Sequence, residues 1–260
     1  MDRLSIIKIG GKVVETPESL TAFLLEFNKI SGNKILVHGG GRSATDIAAK
    51  LGIETKMVEG RRVTDEAMLE VAVMVYGGLV NKRIVAGLQA LDCNAAGFSG
   101  ADLDLIRAKK RPAQEIDYGF VGDIEEVNTK ELRLLLNENI VPVIAPLTHN
   151  GQGLLLNTNA DTIASSLAVE LSNVFNVNLI FCFEKKGVLS DPGDEESIIF
   201  ELTYNSFLEY KQEGVVNAGM IPKLDNGFNA IKNGVKEVLI TNAENIATGR
   251  GTRLFMGGRF

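Results

Sequence analysis

The sequence has no tryptophan and only two cysteines, two histidines and six prolines. Cys93 and Cys182 stand alone in apolar stretches, with no second thiol or histidine at metal-ligand spacing. That spacing excludes a zinc site or a disulfide framework, and both read as buried free thiols of a reducing compartment. Positive charge is also short: Lys and Arg total 27 against 33 Asp and Glu, a formal net charge of −6. Without a basic field, nucleic acid and anionic membrane surfaces are poor partners, and any polyanion must be held by a few cations or backbone N–H groups gathered at one place. No apolar run approaches the roughly 18 residues of a membrane span. The start, Met1-Asp2-Arg3-Leu4-Ser5-Ile6-Ile7, lacks the cationic region and cleavage site of a signal peptide, so a cytoplasmic location is expected. What is present is 260 residues, 45% of them hydrophobic, enough for one large α/β domain or two lobes around a cleft.

Strand and helix signals alternate along the chain. Leu4 to Ile9 is a short β-branched run ending in Gly10-Gly11, a buried strand entering a glycine loop. Thr16 and Pro17 open a helix whose Leu20, Phe23, Leu24 and Phe27 make one apolar stripe. Asn33 to His38 is a second strand; Gly39-Gly40-Gly41 follows, then a helix from Ser43 to Leu51 closed by Gly52. Thr55 to Thr64 reads as a hairpin turning near Gly60, and a long helix as running from Asp65 to Asp92. Gly77-Gly78 in its middle costs about 1 kcal/mol per glycine relative to alanine, which predicts a bend or a close helix contact such as a subunit interface. Further strands are expected near Asn94–Phe98, Leu103–Ala108, Val121–Val127 and Ile140–Pro146, and helices over Thr129–Glu138 and Ala160–Leu171. Val177 to Phe183 is an apolar run broken only by Asn178, the pattern of a strand covered on both faces, so the sheet is expected to be mainly parallel. After a polar loop from Ser190 to Ser197 come helices over Tyr204–Gly214 and Met220–Asn233 and a strand at Glu237–Thr241.

Two glycine loops, each between a strand and a helix, let backbone N–H groups approach an anion. The first carries Lys8 on its strand and is not a Walker A motif. The second, Gly39-Gly40-Gly41-Arg42-Ser43-Ala44, formally fits a dinucleotide fingerprint with Glu59 downstream, but that reading leaves Lys8, Arg61-Arg62 and the later polar segments without a role. Arg62 offers a guanidinium fork for a carboxylate, although a charged turn is the plainer reading of Arg61-Arg62 alone. Asn157 and Asp161 lie where a strand hands over to a helix, the usual place for ligand groups in an open α/β sheet; Asn159 is a natural helix cap. Lys223 follows Pro222 at a helix start and, with Lys8, supplies the two cations a phosphate site in this acidic chain requires. His38 and His149 are isolated and read as structural.

In order, Ile7-Lys8-Ile9-Gly10-Gly11, His38-Gly39-Gly40-Gly41, Gly60-Arg61-Arg62-Val63-Thr64, Asn157-Thr158-Asn159-Ala160-Asp161, Gly219-Met220-Ile221-Pro222-Lys223 and Gly251-Thr252-Arg253-Leu254 resemble the amino acid kinase family. Within it they are similar to the branch acting on acylated glutamates. Each segment is modest alone; their register across nearly the whole chain is specific. The resemblance implies a three-layer αβα sandwich with a mainly parallel central sheet. Residues 1–175 would form a lobe for the acylated amino acid and the dimer contact, and residues 176–260 a lobe for ATP. It implies transfer of the γ-phosphoryl group of ATP, with Mg²⁺, to the γ-carboxylate of N-acetyl-L-glutamate, an early step of arginine biosynthesis. N-succinyl-L-glutamate, another acceptor within the family, and a non-catalytic metabolite-binding relative are the alternatives.

By that resemblance Lys8 and Lys223 stabilise the phosphoryl group in transit, Asp161 orients both, and Gly40, Gly41, Arg62 and Asn157 bind the acylated amino acid. Nucleotide contacts fall on Gly10, Gly11, Glu184, Lys185, Lys186, Gly187, Val188 and Leu189, and on Val215, Val216, Asn217, Gly219 and Met220, with no metal ligand from a protein side chain. The chemistry agrees: a γ-carboxylate with a reference pKa of about 4.3 is already an anion at neutral pH and needs no general base. Two segments depart from the family pattern. Glu184-Lys185-Lys186-Gly187 stands where Asp-x-x-Gly is usual, and Phe98-Ser99-Gly100-Ala101-Asp102 alters the region of the acyl pocket. The chain opens directly on its first strand, without the extra helix of arginine-inhibited hexamers, which predicts an arginine-insensitive homodimer.

Overall fold

A computed structural model describes residues 1–58, 61–191, 193–216 and 220–257. Glu59 and the hairpin turn at Gly60, and Asn217 and Gly219 of the expected nucleotide set, lie outside the described residues. Eight strands form the central sheet, in the order Glu201–Thr203, Thr252–Phe255, Glu237–Asn242, Asn176–Phe183, Arg3–Ile9, Asn33–His38, Val141–Ile144 and Ala95–Phe98. Every neighbouring pair is parallel except Glu237–Asn242 with Thr252–Phe255.

Both faces of this sheet are covered, which is why its central strands read as largely apolar runs. Side chains alternate between two cores: Leu4 and Ile6 pack with Leu179, Phe181, Ile163 and Leu167, whereas Ile7 and Ile9 pack with Phe23, Phe27 and Ile84. The layers are therefore helix, sheet and helix, as expected. Lys8 shares its face with Leu4 and Ile6, toward the Ala160–Leu171 helix. Thr16 caps the Pro17–Asn28 helix by accepting from Ser19 N, and Cys93 and Cys182 are buried and free.

Several elements differ from the sequence reading. The strand expected from Leu103 begins at Ile106, because Leu103 and Asp104 take left-handed φ values of 52° and 53° in a 3₁₀ turn. A second sheet, ordered Leu155–Asn157, Leu147–His149, Ile106–Lys110 and Gly122–Val127, includes two three-residue strands too short to show a period. The long helix runs from Glu66 to Gln89 with Asp65 as its N-cap, and around Gly77-Gly78 it widens into a π-helical stretch, Val73–Val80. This helix is long and apolar enough by composition to cross a membrane, contrary to the expectation that no segment is. Its Met68, Val71, Ala72, Val75, Ile84 and Leu88 are packed in the protein core.

Candidate active site

The carboxyl ends of the central strands fix the site, as in other open α/β sheets. Ile9 lies in register with His38 on one side and Cys182 on the other, so the two glycine loops and the turn at Glu184 leave the sheet at one level. The loops are tied together: Gly39 N donates to Ile9 O at 3.1 Å, and Gly10 N donates to Cys182 O at 3.2 Å. The Gly10 and Gly39 amides are thus engaged with backbone. Gly11 and Gly41 begin the Gly11–Glu15 and Gly41–Lys50 helices, where amides have no intrahelical partner.

The centre of the site is a shared carboxylate. Asn159 caps the Ala160–Leu171 helix, accepting from Asp161 N at 2.8 Å and Thr162 N at 3.1 Å. That cap places Asp161 in the first turn, where the helix dipole favours a negative charge. Lys8 Nζ lies 2.7 Å from Asp161 Oδ1, and Lys223 Nζ, from the first turn of the Ile221–Lys232 helix, lies 3.4 Å from Oδ2. The side chains of Lys8, Asp161 and Lys223 are 9%, 8% and 21% exposed. Burial alone would raise the Asp161 carboxyl, but the two ammonium groups outweigh it and hold the pKa below the ordinary value. Cys182 is pushed up to about 12 by burial, against the pull of Lys8, so it is a neutral thiol at physiological pH.

A second cluster gathers three of the four expected acyl-amino-acid residues. Arg62 Nη2 donates to Gly41 O at 2.7 Å and to Thr45 Oγ1 at 2.8 Å. A Cβ at Gly40 would fall 2.9 Å from Tyr76 Cδ1, so only glycine lets the loop pass this ring. Burial raises the Tyr76 phenol while the neighbouring Arg62 charge lowers it, with a net rise. Asn157, the fourth residue, donates from Nδ2 to Thr64 Oγ1 at 2.9 Å. Thr45, Tyr76 and Thr64 were not singled out from the sequence. Thr64 stood inside a quoted motif, and Tyr76 beside the glycine pair, but only tertiary contacts bring them to Arg62 and Asn157.

Several described residues of the expected nucleotide set are engaged with partners inside the protein. Glu184 forms an ion pair with Lys12, Lys185 with Glu195 at 2.7 Å, and Lys186 with Glu196. The added lysines of this turn therefore answer carboxylates of the following polar loop. Val188 N donates to Thr252 Oγ1 at 2.8 Å, and a Cβ on Gly187 would meet that oxygen at 2.7 Å. Val188, Leu189, Val216 and Met220 are buried, and the amides of Val215 and Val216 donate to Tyr210 O. Among the described residues no cluster of three His, Cys, Asp or Glu side chains could hold a metal ion. Cavities of about 200 and 300 Å³ lie elsewhere, and neither is lined by Lys8, Asp161, Lys223, Arg62 or Asn157. The paired charges, not enclosed volume, mark the site.

His38 is wholly buried, its Nδ1 2.7 Å from Gly39 O and its Nε2 3.2 Å from Asn81 Nδ2. Burial drives its pKa down to about 4, so it is neutral and structural. His149 Nε2 lies 2.8 Å from Asp104 Oδ1, away from the lysine pair.

Known proteins resemble this chain over nearly its whole length. The acetylglutamate kinase of Parabacteroides distasonis is 58% identical over 255 residues, spanning 98% of this chain and 100% of that protein. That of Bacteroides thetaiotaomicron is 58% identical over 253 residues, spanning 97% and 98%. The crystal structure of smu.665 from Streptococcus mutans UA159 matches with a TM-score of 0.82 at 25% identity, covering 98% of this chain and 99% of that one. The profile of the amino acid kinase family matches residues 3–242, a span that contains Lys8, Arg62, Asn157, Asp161 and Lys223. With its sheet, its paired lysines and this match in agreement, the chain belongs to the amino acid kinase family.

Proposed function

We propose that this chain transfers the γ-phosphoryl group of ATP to the γ-carboxylate of N-acetyl-L-glutamate, giving N-acetyl-L-glutamyl 5-phosphate and ADP, an early step of arginine biosynthesis. The observation that carries this reading is the meeting of Lys8 and Lys223 on one buried carboxylate. Phosphoryl transfer requires little covalent help from a protein; it requires positioning and neutralisation of charge on the equatorial oxygens. The acceptor carboxylate arrives ionised and attacks phosphorus, the bond to the β–γ bridging oxygen breaks, and ADP leaves. Lys8 and Lys223 face the charge that develops, and Asp161 holds the two ammonium groups at a fixed separation. Mg²⁺, for which no side-chain ligand is expected from the protein, would accompany the nucleotide and would supply further positive charge to its phosphates. Arg62, steadied on Gly41 and Thr45, is suited to the α-carboxylate of the amino acid, with Gly40, Gly41 and Asn157 around it.

In this reading residues 1–175 hold the acylated amino acid and residues 176–260 the nucleotide, with Gly10, Gly11, the Glu184–Leu189 turn, Val215–Asn217, Gly219 and Met220 on its side. The enzyme works in the cytoplasm as a homodimer. Met74 and Leu79, 53% and 37% exposed on the π-helical stretch, offer an apolar face for a second copy. Light scattering with and without arginine tests this; an arginine-responsive hexamer contradicts it.

The decisive assay is ATP-dependent hydroxamate formation with N-acetyl-, N-succinyl- and free L-glutamate. N-acetyl-L-glutamate is expected to give the highest kcat/KM, and preference for another acceptor overturns the assignment. Lys8→Ala and Lys223→Ala are each expected to lower kcat by roughly 10²-fold or more, as lost transition-state donors do. Near-normal turnover in both variants removes the mechanism.

A further inference from the structure

Arg62 and Asn157 come from segments far apart in the chain, and one side chain stands between them. Thr64 is fully buried. Its Oγ1 accepts from Asn157 Nδ2 at 2.9 Å and donates to Arg62 O at 3.4 Å. One hydroxyl thus serves as acceptor for one candidate substrate residue and donor to the backbone of the other.

The surrounding backbone leaves Thr64 little freedom. Thr64 N donates to Tyr118 O at 2.9 Å and Phe120 N donates to Thr64 O at 2.7 Å. Between them Gly119 has a φ of 71°, and a Cβ there would lie 2.2 Å from Thr64 O. Asn157 N donates in turn to Phe120 O at 2.9 Å. Residues 118–120 are therefore the middle of three adjacent segments, with the Arg62 strand on one side and the Asn157 strand on the other. This backbone fixes how far apart the two segments lie, but it does not fix the Asn157 amide, which can rotate about its terminal torsion. The contact with Thr64 Oγ1 does: it points Nδ2 at the hydroxyl and presents the remaining N–H and Oδ1 in one orientation.

We infer that Thr64 is a positioning residue of the acyl-amino-acid site, acting through Asn157. Its hydroxyl sets affinity for the acylated amino acid and leaves affinity for ATP alone. This rests on the proposed function, and the test separates the two. KM for N-acetyl-L-glutamate and for MgATP is measured in the wild type, Thr64→Val, Thr64→Ser, Asn157→Ala and the Thr64→Val/Asn157→Ala double variant. Loss of one buried hydrogen bond to a positioned group is expected to raise the KM for N-acetyl-L-glutamate about 10-fold in Thr64→Val. The KM for MgATP stays within about 2-fold, and Thr64→Ser restores the wild-type behaviour because it keeps the hydroxyl. In the Asn157→Ala background Thr64→Val adds less than about 2-fold, since coupled residues are not additive. Thr64→Ala, a second variant without the hydroxyl, is held to the same outcome if Thr64→Val does not fold. An unchanged KM in the hydroxyl-free variants, a parallel rise of both KM values, or an undiminished effect without Asn157 overturns the inference alone. Absence of wild-type turnover overturns the proposed function and this inference with it.

Discussion

Asp161→Asn keeps the shape of the side chain and removes the charge that Lys8 and Lys223 share. At 2.7 Å from Lys8 and 3.4 Å from Lys223, the carboxylate is the counter-ion of two ammonium groups, one of them nearly buried. At an effective dielectric constant of about 20, a unit pair at the shorter distance is worth roughly 6 kcal/mol of gross attraction. Desolvation of both partners cancels much of this, and breaking a buried pair costs about 3–5 kcal/mol in practice. The asparagine oxygen can still accept from one ammonium, so the lower end, about 3 kcal/mol, is expected in urea denaturation at neutral pH. Turnover falls for a different reason: the two lysines, now repelling each other, lose their fixed separation, and kcat drops by roughly 10²-fold or more in a coupled ADP-release assay. The KM for MgATP is not expected to rise, because the site has become more positive. A variant as stable as the wild type, or one with kcat within about 5-fold of it, would refute this account of Asp161.

Gly40→Ala puts a methyl 2.9 Å from Tyr76 Cδ1 and 3.2 Å from Cε1, so the ring or the loop must move. The expected result is a KM for N-acetyl-L-glutamate raised by about 10-fold with little change for MgATP, together with a stability loss of about 1–3 kcal/mol typical of overpacking; steady-state kinetics and thermal melts check both. His38, held near 4 by burial against an ordinary 6.5, binds a proton in the unfolded chain before it does so in the folded one. Stability is therefore expected to fall as pH drops from 6.5 to about 4, by roughly 3 kcal/mol in all. Asp161, lowered in the folded state, contributes stability above its ordinary 3.8 that is lost only below that value, so the two windows are distinct. Urea titrations of the wild type and His38→Gln at pH 7, 5.5 and 4.5 test this, the variant showing a flatter profile.

Most of the central sheet was legible because its strands are largely apolar runs, two of them ending in glycine loops, and the Ala160–Leu171 helix was read with its observed bounds. The edge was not. Glu201–Thr203 and Thr252–Phe255 are short strands whose existence depends on pairing with each other and with Glu237–Asn242, and no local period announces that. The same division holds at the site. Lys8, Asp161 and Lys223 could be singled out one at a time, since each sits at a strand end or a helix start. Their convergence depends on sheet register and on the packing of two helices against one face. Tyr76 was hidden because a glycine pair in a helix predicts irregularity without saying which side chain the widened turn will deliver.

The fold and the chemistry of this protein draw on the same contacts. Lys8 lies near the carboxyl end of a central strand, buried between Ile7 and Ile9, where an ammonium group would ordinarily be costly. Its burial is tolerated because Asp161 meets it, and Asp161 is presented there because Asn159 caps the helix at that point. Lys223 arrives at the same carboxylate from the start of another helix, more exposed and so freer to follow an incoming phosphate. An acidic chain can thus gather positive charge without a basic surface, storing it inside where the low dielectric makes it most effective. The cap, the counter-ion and the two ammonium groups form one dependent series, so loosening the helix start at Asn159 should release the lysines as well as fray the helix.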